Sequence, residues 1–317
     1  MSRTIVSLEA FDEKIRTFLA QNNLCVKEIE RGRMMLREIS SIAPEVLICR
    51  DRDAINLILQ SCPRLKMVFI VEVGVEDLPF SLLKEKGVRV ANTGGISNDI
   101  ISNYVLSCVL AQSSKLKESN MNQQRHVWKR FQCTDSLIGK NFLIVGAGKI
   151  GKEIAKKASV LGLNLYGIQR SPRYTECFKE TATLEKLDVF LPIADYVVCT
   201  IPQTSHTAQL FDYNRFAKMK PTASFINVSR GAIVKEEDII KALDNNLFAQ
   251  AYLDVFENEP LPTESPLWDH SKIQITPHQA GRLSNYMLKA MELFTLNYQA
   301  YVQGKKMPNE IDLDAGY

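Results

Sequence analysis

Three glycines at the first, third and sixth places of Gly146-Ala147-Gly148-Lys149-Ile150-Gly151 follow the apolar run FLIV and open the stretch KIGKEIAKKASVLG. That stretch repeats its apolar residues at helical spacing, so the order reads strand, tight turn, helix. Such an arrangement can bind a pyrophosphate. Gly146 permits the turn, Gly148 lets backbone approach the phosphates, and Gly151 lets helix and strand pack closely. The N–H groups of the first helical turn, including Lys149 and Ile150, would face the anion. The plainer reading, a strand–helix turn with packing glycines, stands beside it.

A site of this kind built for NAD closes its second strand with an acid that bonds the ribose 2′-hydroxyl, about twenty residues on. Here no Asp or Glu occurs from Ile154 to Thr175, and the position falls on Gln169 in YGIQRSPR. An acid there would repel a 2′-phosphate, and its absence removes that repulsion. Arg170 and Arg173 offer forked, permanently charged donors, and Ser171 a hydroxyl. The expected cofactor is therefore NADPH, with NAD as the alternative; a solvated basic loop is the reading that needs no ligand.

Two series of elements would hold this chemistry. In the first hundred residues EVLIC (45–49), KMVFIV (66–71) and 88–91 read as buried strands, with DRDAINLILQSC a helix capped by Asp51 or Asp53. Gly87 ends a further helix. Strands alternating with helices imply parallel pairing in a small doubly wound unit. One helical stretch is expected over roughly 98–130, polar after residue 111, as a domain connector or an oligomer contact. From Asn141 the runs FLIVG, LNLYGI, DYVVCTI, ASFINV, FAQAYLDV and KIQITP predict six strands of a Rossmann domain. The tail from Asn285 predicts one long helix. The fold class is α/β with two doubly wound parallel-sheet domains, a Rossmann nucleotide-binding domain and a smaller flavodoxin-like one.

The composition limits the alternatives. The 317 residues are enough for two cores, and a net charge of +3 is too small to argue for nucleic acid or an anionic membrane. No apolar run reaches eighteen residues and the N-terminus has no signal-like core, so a cytoplasmic protein is expected. Seven scattered cysteines without a C-x-x-C fit reduced thiols and no metal site.

The blocks INVSRGAIVKEEDIIKAL (226–243), AYLDVFENEPLP (251–262) and SPLWDHSKIQITPHQAG (265–281) resemble the signature segments of the D-isomer-specific 2-hydroxyacid dehydrogenases, which include D-lactate, hydroxypyruvate and phosphoglycerate dehydrogenases. The likeness runs from about residue 45 to 285, is strong at the level of the family and weaker for the substrate, and is glyoxylate/hydroxypyruvate reductase-like in kind. It implies Arg230, Glu259 and His278 as catalytic residues, Pro202 and Asp254 as cofactor contacts, and backbone at Val73 and Gly74 as a substrate loop. It also implies a discontinuous substrate domain, 1–97 with 282–317, around a Rossmann domain, 98–281, and a homodimer formed through the helices around 98–130. Those residue types suit the chemistry. Reducing a 2-keto acid needs a proton for the oxygen, which histidine supplies near neutral pH, and a clamp for the carboxylate, which arginine supplies. A carboxylate on the far ring nitrogen would orient the imidazole.

Taken singly, His278 reads as a hydrogen-bonded structural residue, Arg230 as a salt-bridge residue and Glu259 as a loop charge. Three blocks carrying them in the family's order favour catalysis. His206, His270 and Trp268 have no such support and read as structural. The chain departs from the family pattern at Glu72, where glycine is usual, at Glu76 for Asp, and at Asn103 for Glu. The rival to an enzyme is a cofactor-sensing, corepressor-like binding protein on the same fold. A purely structural domain would leave the triad without a purpose.

Overall fold

The computed structural model describes residues 3–75, 77–130, 136–171 and 175–315. The chain divides into two compact units, Met1–Ile96 with Leu283–Tyr317, and Ser97–Arg282.

Among the described residues the first unit holds a parallel sheet of β1 (Ile5–Ser7), β2 (Val26–Glu28), β3 (Val46–Cys49), β4 (Met67–Ile70) and β5 (Arg89–Asn92). Their order is β2-β1-β3-β4-β5, the flavodoxin-like arrangement. The two-residue period of the strands sorts their side chains. Leu47, Cys49, Val68 and Ile70 pack with Ile55, Ile58 and Ile39. Val46, Ile48, Met67 and Phe69 pack with Ile15, Leu19 and, from the tail helix Tyr286–Val302, Ala290, Met291 and Phe294. Both faces are covered, which is why these strands read as unbroken apolar runs. Of the two candidate caps, Asp51 accepts from the Ala54 N–H at 3.1 Å. The strands β1 and β2 are not among those legible in the sequence. Each is three residues long, too short for a periodic signal.

The second unit has seven described strands rather than six: β6 (Asn141–Val145), β7 (Asn164–Ile168), β8 (Phe178–Ala182), β9 (Tyr196–Cys199), β10 (Ser224–Asn227), β11 (Gln250–Leu253) and β12 (Ile273–Ile275). They lie parallel in the order β12-β11-β10-β9-β6-β7-β8, and the winding reverses between β6 and β9. The unexpected strand β8, FKETA, is an edge strand with two exposed residues, so it lacks the apolar run of its neighbours. Phe211, Phe216, Phe225 and Phe248 fill one side of the sheet, with Phe211 and Phe225 ring centroids 4.7 Å apart. On the other side Phe142, Ile144 and Val198 meet Val105, Val109, Ile154 and Ala158.

The expected long helix is two helices, Asn98–Ser113 and Leu116–Gln124. They are broken at Lys115, which takes a left-handed backbone (φ 56°). The first helix buries Val105, Cys108 and Val109, whereas the second buries no residue. Without an apolar face to hold it in line, the second helix is not forced to continue the first. No helix among the described residues is long and apolar enough to cross a membrane.

Candidate active site

The glycine turn joins β6 to the helix Lys149–Val160 at the point where the sheet reverses. Gly146 has φ +112°, and a Cβ on it would sit 2.6 Å from the Ile201 nitrogen at the end of β9. A Cβ on Gly151 would sit 2.3 Å from the Gly146 carbonyl oxygen. These two glycines let three chain segments come together. Gly148 differs. It caps the helix with extended backbone, and a Cβ there would meet nothing within 4 Å. The space over the helix N-terminus is therefore open, beside the N–H groups of Lys149 and Ile150, and fits a pyrophosphate. Pro202 follows Ile201 on the strip beside Gly146, and its carbonyl accepts from the Thr207 hydroxyl at 2.7 Å.

At the end of β7 the backbone N–H of Gln169 bonds Ala182 at 2.9 Å, and its side-chain amide donates to Thr181 Oγ1 at 3.1 Å, both on β8. The unexpected edge strand thus holds the residue that replaces the acid. Arg170 and Ser171 are exposed just beyond it, while Arg173 lies outside the described residues.

Arg230, Glu259 and His278 sit on loops that leave the carboxyl ends of β10, β11 and β12, three neighbouring strands. His278 Nδ1 lies 2.6 Å from Glu259 Oε2, and Glu259 Oε1 accepts the Phe256 N–H at 3.0 Å. One carboxylate therefore fixes both its own loop and the ring. The Arg230 loop is pressed onto the same backbone, because a Cβ on Gly231 would lie 1.8 Å from the Phe256 carbonyl carbon. Arg230 Nη1 also donates to the Ser229 carbonyl at 2.8 Å, and Asn227 Nδ2 donates to the Arg230 carbonyl at 3.0 Å. His278 itself has a left-handed backbone, φ 48°. A non-glycine residue in that region is costly and persists when its surroundings hold it there.

Asp254 supplies that restraint. It is 1% exposed. Its carboxylate accepts the Gln279 N–H at 3.0 Å, the Ala280 N–H at 2.9 Å and the Thr276 hydroxyl at 2.5 Å. The His278 N–H bonds the Asp254 carbonyl at 2.8 Å. The resemblance puts Asp254 at the nicotinamide end of the cofactor; here its oxygens lie inside the turn that carries His278. Tyr104, on the helix Asn98–Ser113, extends the network with its hydroxyl 2.6 Å from Thr276 Oγ1. Tyr104 and Thr276 were missed in the sequence, since neither lies in a motif that predicts a 172-residue contact. Burial pushes the Tyr104 phenol far up, so it remains a neutral hydrogen-bonding group.

Of the remaining singled-out residues, His270 lies 3.3 Å from Asp244, and its Nδ1 accepts the Lys272 N–H at 3.2 Å. Trp268 donates its indole N–H to Pro262 at 2.8 Å. Asn103 accepts from Lys157 at 2.6 Å, which also binds Asp99.

In the first unit, Val73 and Gly74 follow β4, and their carbonyls are tied down. Asn92 Nδ2 donates to Val73 at 2.6 Å and Arg52 Nη2 to Gly74 at 2.7 Å. Glu72 pairs with Arg52 at 2.8 Å. Asn92 and Arg52 are further residues that only the structure brings to this loop, and Glu76 lies outside the described residues.

Residues 106–280 match the sequence model of the D-isomer specific 2-hydroxyacid dehydrogenase NAD-binding domain. The chain is 30% identical to a glyoxylate reductase of Thermofilum pendens, over 83% of this chain and 80% of that one. It is 32% identical to a glyoxylate/hydroxypyruvate reductase A of Serratia proteamaculans, over 80% and 82% of the two chains. A solved NADPH-dependent glyoxylate/hydroxypyruvate reductase of Sinorhizobium meliloti, in complex with NADP and sulfate, superposes with a TM-score of 0.85 at 26% identity, covering 100% of both chains.

Proposed function

The chain belongs to the D-isomer-specific 2-hydroxyacid dehydrogenase family, and we propose that within it the protein is an NADPH-preferring reductase of small 2-keto acids, reversible toward the D-2-hydroxy acids. The observation that carries the reaction is the 2.6 Å contact between His278 Nδ1 and Glu259. With Nδ1 engaged, Nε2 is the nitrogen left to give a proton to the carbonyl oxygen, and to take it back in the other direction. Arg230 grips the substrate carboxylate and polarises the carbonyl. In the first unit, the N–H groups of Val73 and Gly74 are the carboxylate donors that the family resemblance implies. When bound, the dihydronicotinamide supplies the hydride to the carbonyl carbon.

Gly146, Gly148, Lys149, Ile150 and Gly151 hold the pyrophosphate. Gln169, Arg170 and Ser171, with Arg173 assigned from the sequence alone, would bind the adenosine ribose, and Pro202 would contact the nicotinamide end, with Asp254 acting there through the turn it braces. Preference for NADPH rests on the missing acid at Gln169 and finds support in the NADPH-dependent neighbour. The protein acts as a homodimer through the second unit. Its segment from Leu110 to Trp128 exposes Leu110, Leu116, Met121, Val127 and Trp128, the last 90% accessible. A monomer by sedimentation would overturn that assignment.

The test is the initial rate of NADPH and NADH oxidation with glyoxylate, hydroxypyruvate, pyruvate and branched 2-keto acids. Turnover favouring NADPH by tenfold or more is expected. Arg170→Ala should weaken NADPH much more than NADH, and an equal loss for both would overturn the 2′-phosphate assignment. Nucleotide binding without turnover of any keto acid would refute the reductase.

A further inference from the structure

We propose that Glu72 is a specificity-determining residue that restricts the protein to monoanionic 2-keto acids with short uncharged tails, by cancelling Arg52 within the substrate loop. The inference rests on the proposed function, and in particular on the loop Val73–Gly74 as the seat of the substrate carboxylate. Arg52 begins the helix Arg52–Ser61, and its side chain is only 20% exposed. It reaches the loop at two points, the Gly74 carbonyl at 2.7 Å and the Glu72 carboxylate at 2.8 Å. It also donates to the Arg50 carbonyl. A guanidinium clamped into a loop that presents N–H groups would add fixed positive charge beside the bound substrate. It would then attract any second anionic group the substrate carried.

Glu72 removes that attraction. Its side chain is 48% exposed, so the carboxylate stands at the rim of the loop with its charge facing solvent on one side and Arg52 on the other. The neighbouring cation is engaged as well. Arg50 pairs with Glu9 at 2.8 Å, and Glu9 also holds Arg31, which reaches Asp51. These arginines thus each meet an acid of this unit, and a substrate with a second carboxylate or a phosphate finds no unopposed cation among them. A glycine at position 72 would leave Arg52 without its acid. An uncharged tail, such as a hydrogen or a hydroxymethyl group, loses nothing by the exchange.

The experiment compares kcat/KM for hydroxypyruvate and oxaloacetate, whose tails differ as hydroxyl against carboxylate, in the parent protein, Glu72→Gln and Glu72→Asp. The parent should favour hydroxypyruvate. Glu72→Gln should move the ratio toward oxaloacetate by about tenfold, an effect that shrinks as salt is raised. Glu72→Asp, which keeps the charge, should stay near the parental ratio and serves as the control for packing. An unchanged ratio in Glu72→Gln, or an equal shift in both variants, would overturn the role of Glu72 while leaving the reductase standing. A parent that turns over neither keto acid with either cofactor would instead sink the proposed function, and this inference with it.

Discussion

At the scale of single residues, the proposed chemistry converges on one ring. His278 is held by Glu259 through its side chain and by Asp254 through its backbone, in a left-handed conformation. Replacing the ring should therefore remove proton transfer and little else. His278→Ala should lower kcat about 10²–10⁴-fold while NADPH binding, followed by nucleotide fluorescence, stays near the parental value. Parental kcat in the variant would take His278 out of the mechanism. The residue types were legible in the sequence because Arg, Glu and His each stand in a distinctive block. Asp254 was legible as a position but not as a brace, because its three donors, Thr276, Gln279 and Ala280, are met only across the loop.

At the scale of elements, three loops after β10, β11 and β12 must keep register with one another, and Gly231 sets the closest approach. Its missing side chain allows the Arg230 loop to lie on the Phe256–Glu257 backbone. Gly231→Ala must push the two loops apart, and a shift on the order of 1 Å in a reacting group costs about 10²-fold. A fall of that size in kcat/KM, with a lower melting temperature, is expected. Parental kinetics in that variant would show that the loops tolerate separation. Helix and strand boundaries were readable where apolar period and caps agree, as at Asp51 and the glycine turn. They were not readable at Lys115, where a polar sequence continues through a backbone reversal, nor in β8, whose edge position leaves it half polar.

At the scale of the whole molecule, the first unit is assembled from both ends of the chain, and a short link closes it. Arg89 on β5 grips Glu310 with paired bonds of 2.7 and 2.6 Å and also bonds the Lys305 carbonyl. The Arg89 hydrogen bonds hold the Glu310 carboxyl below its ordinary value of 4.5, against the opposing effect of burial. A carboxyl lowered by folding stabilises the folded state above its ordinary value and ceases to do so as pH falls through the lowered one. Glu310→Gln should therefore cost about 1 kcal/mol at pH 7, and the difference from the parent should shrink below about pH 4. Denaturant titrations at pH 7 and pH 3.5 test this, and a pH-independent difference would contradict it. Burial pushes the Cys49 and Cys199 thiols up to about 12, in keeping with cysteines that serve as core side chains. The sequence by itself determined the class of fold, the glycine turn and the candidate residue types, because strand and helix periods, glycine spacing and short motifs are local properties. Only the tertiary structure decided what braces His278, what neutralises Glu72 and how the chain ends join one sheet. Those depend on side chains brought together from distant parts of the chain, such as Asp254 with Ala280, Arg52 with Glu72 and Arg89 with Glu310, and no local period encodes such meetings.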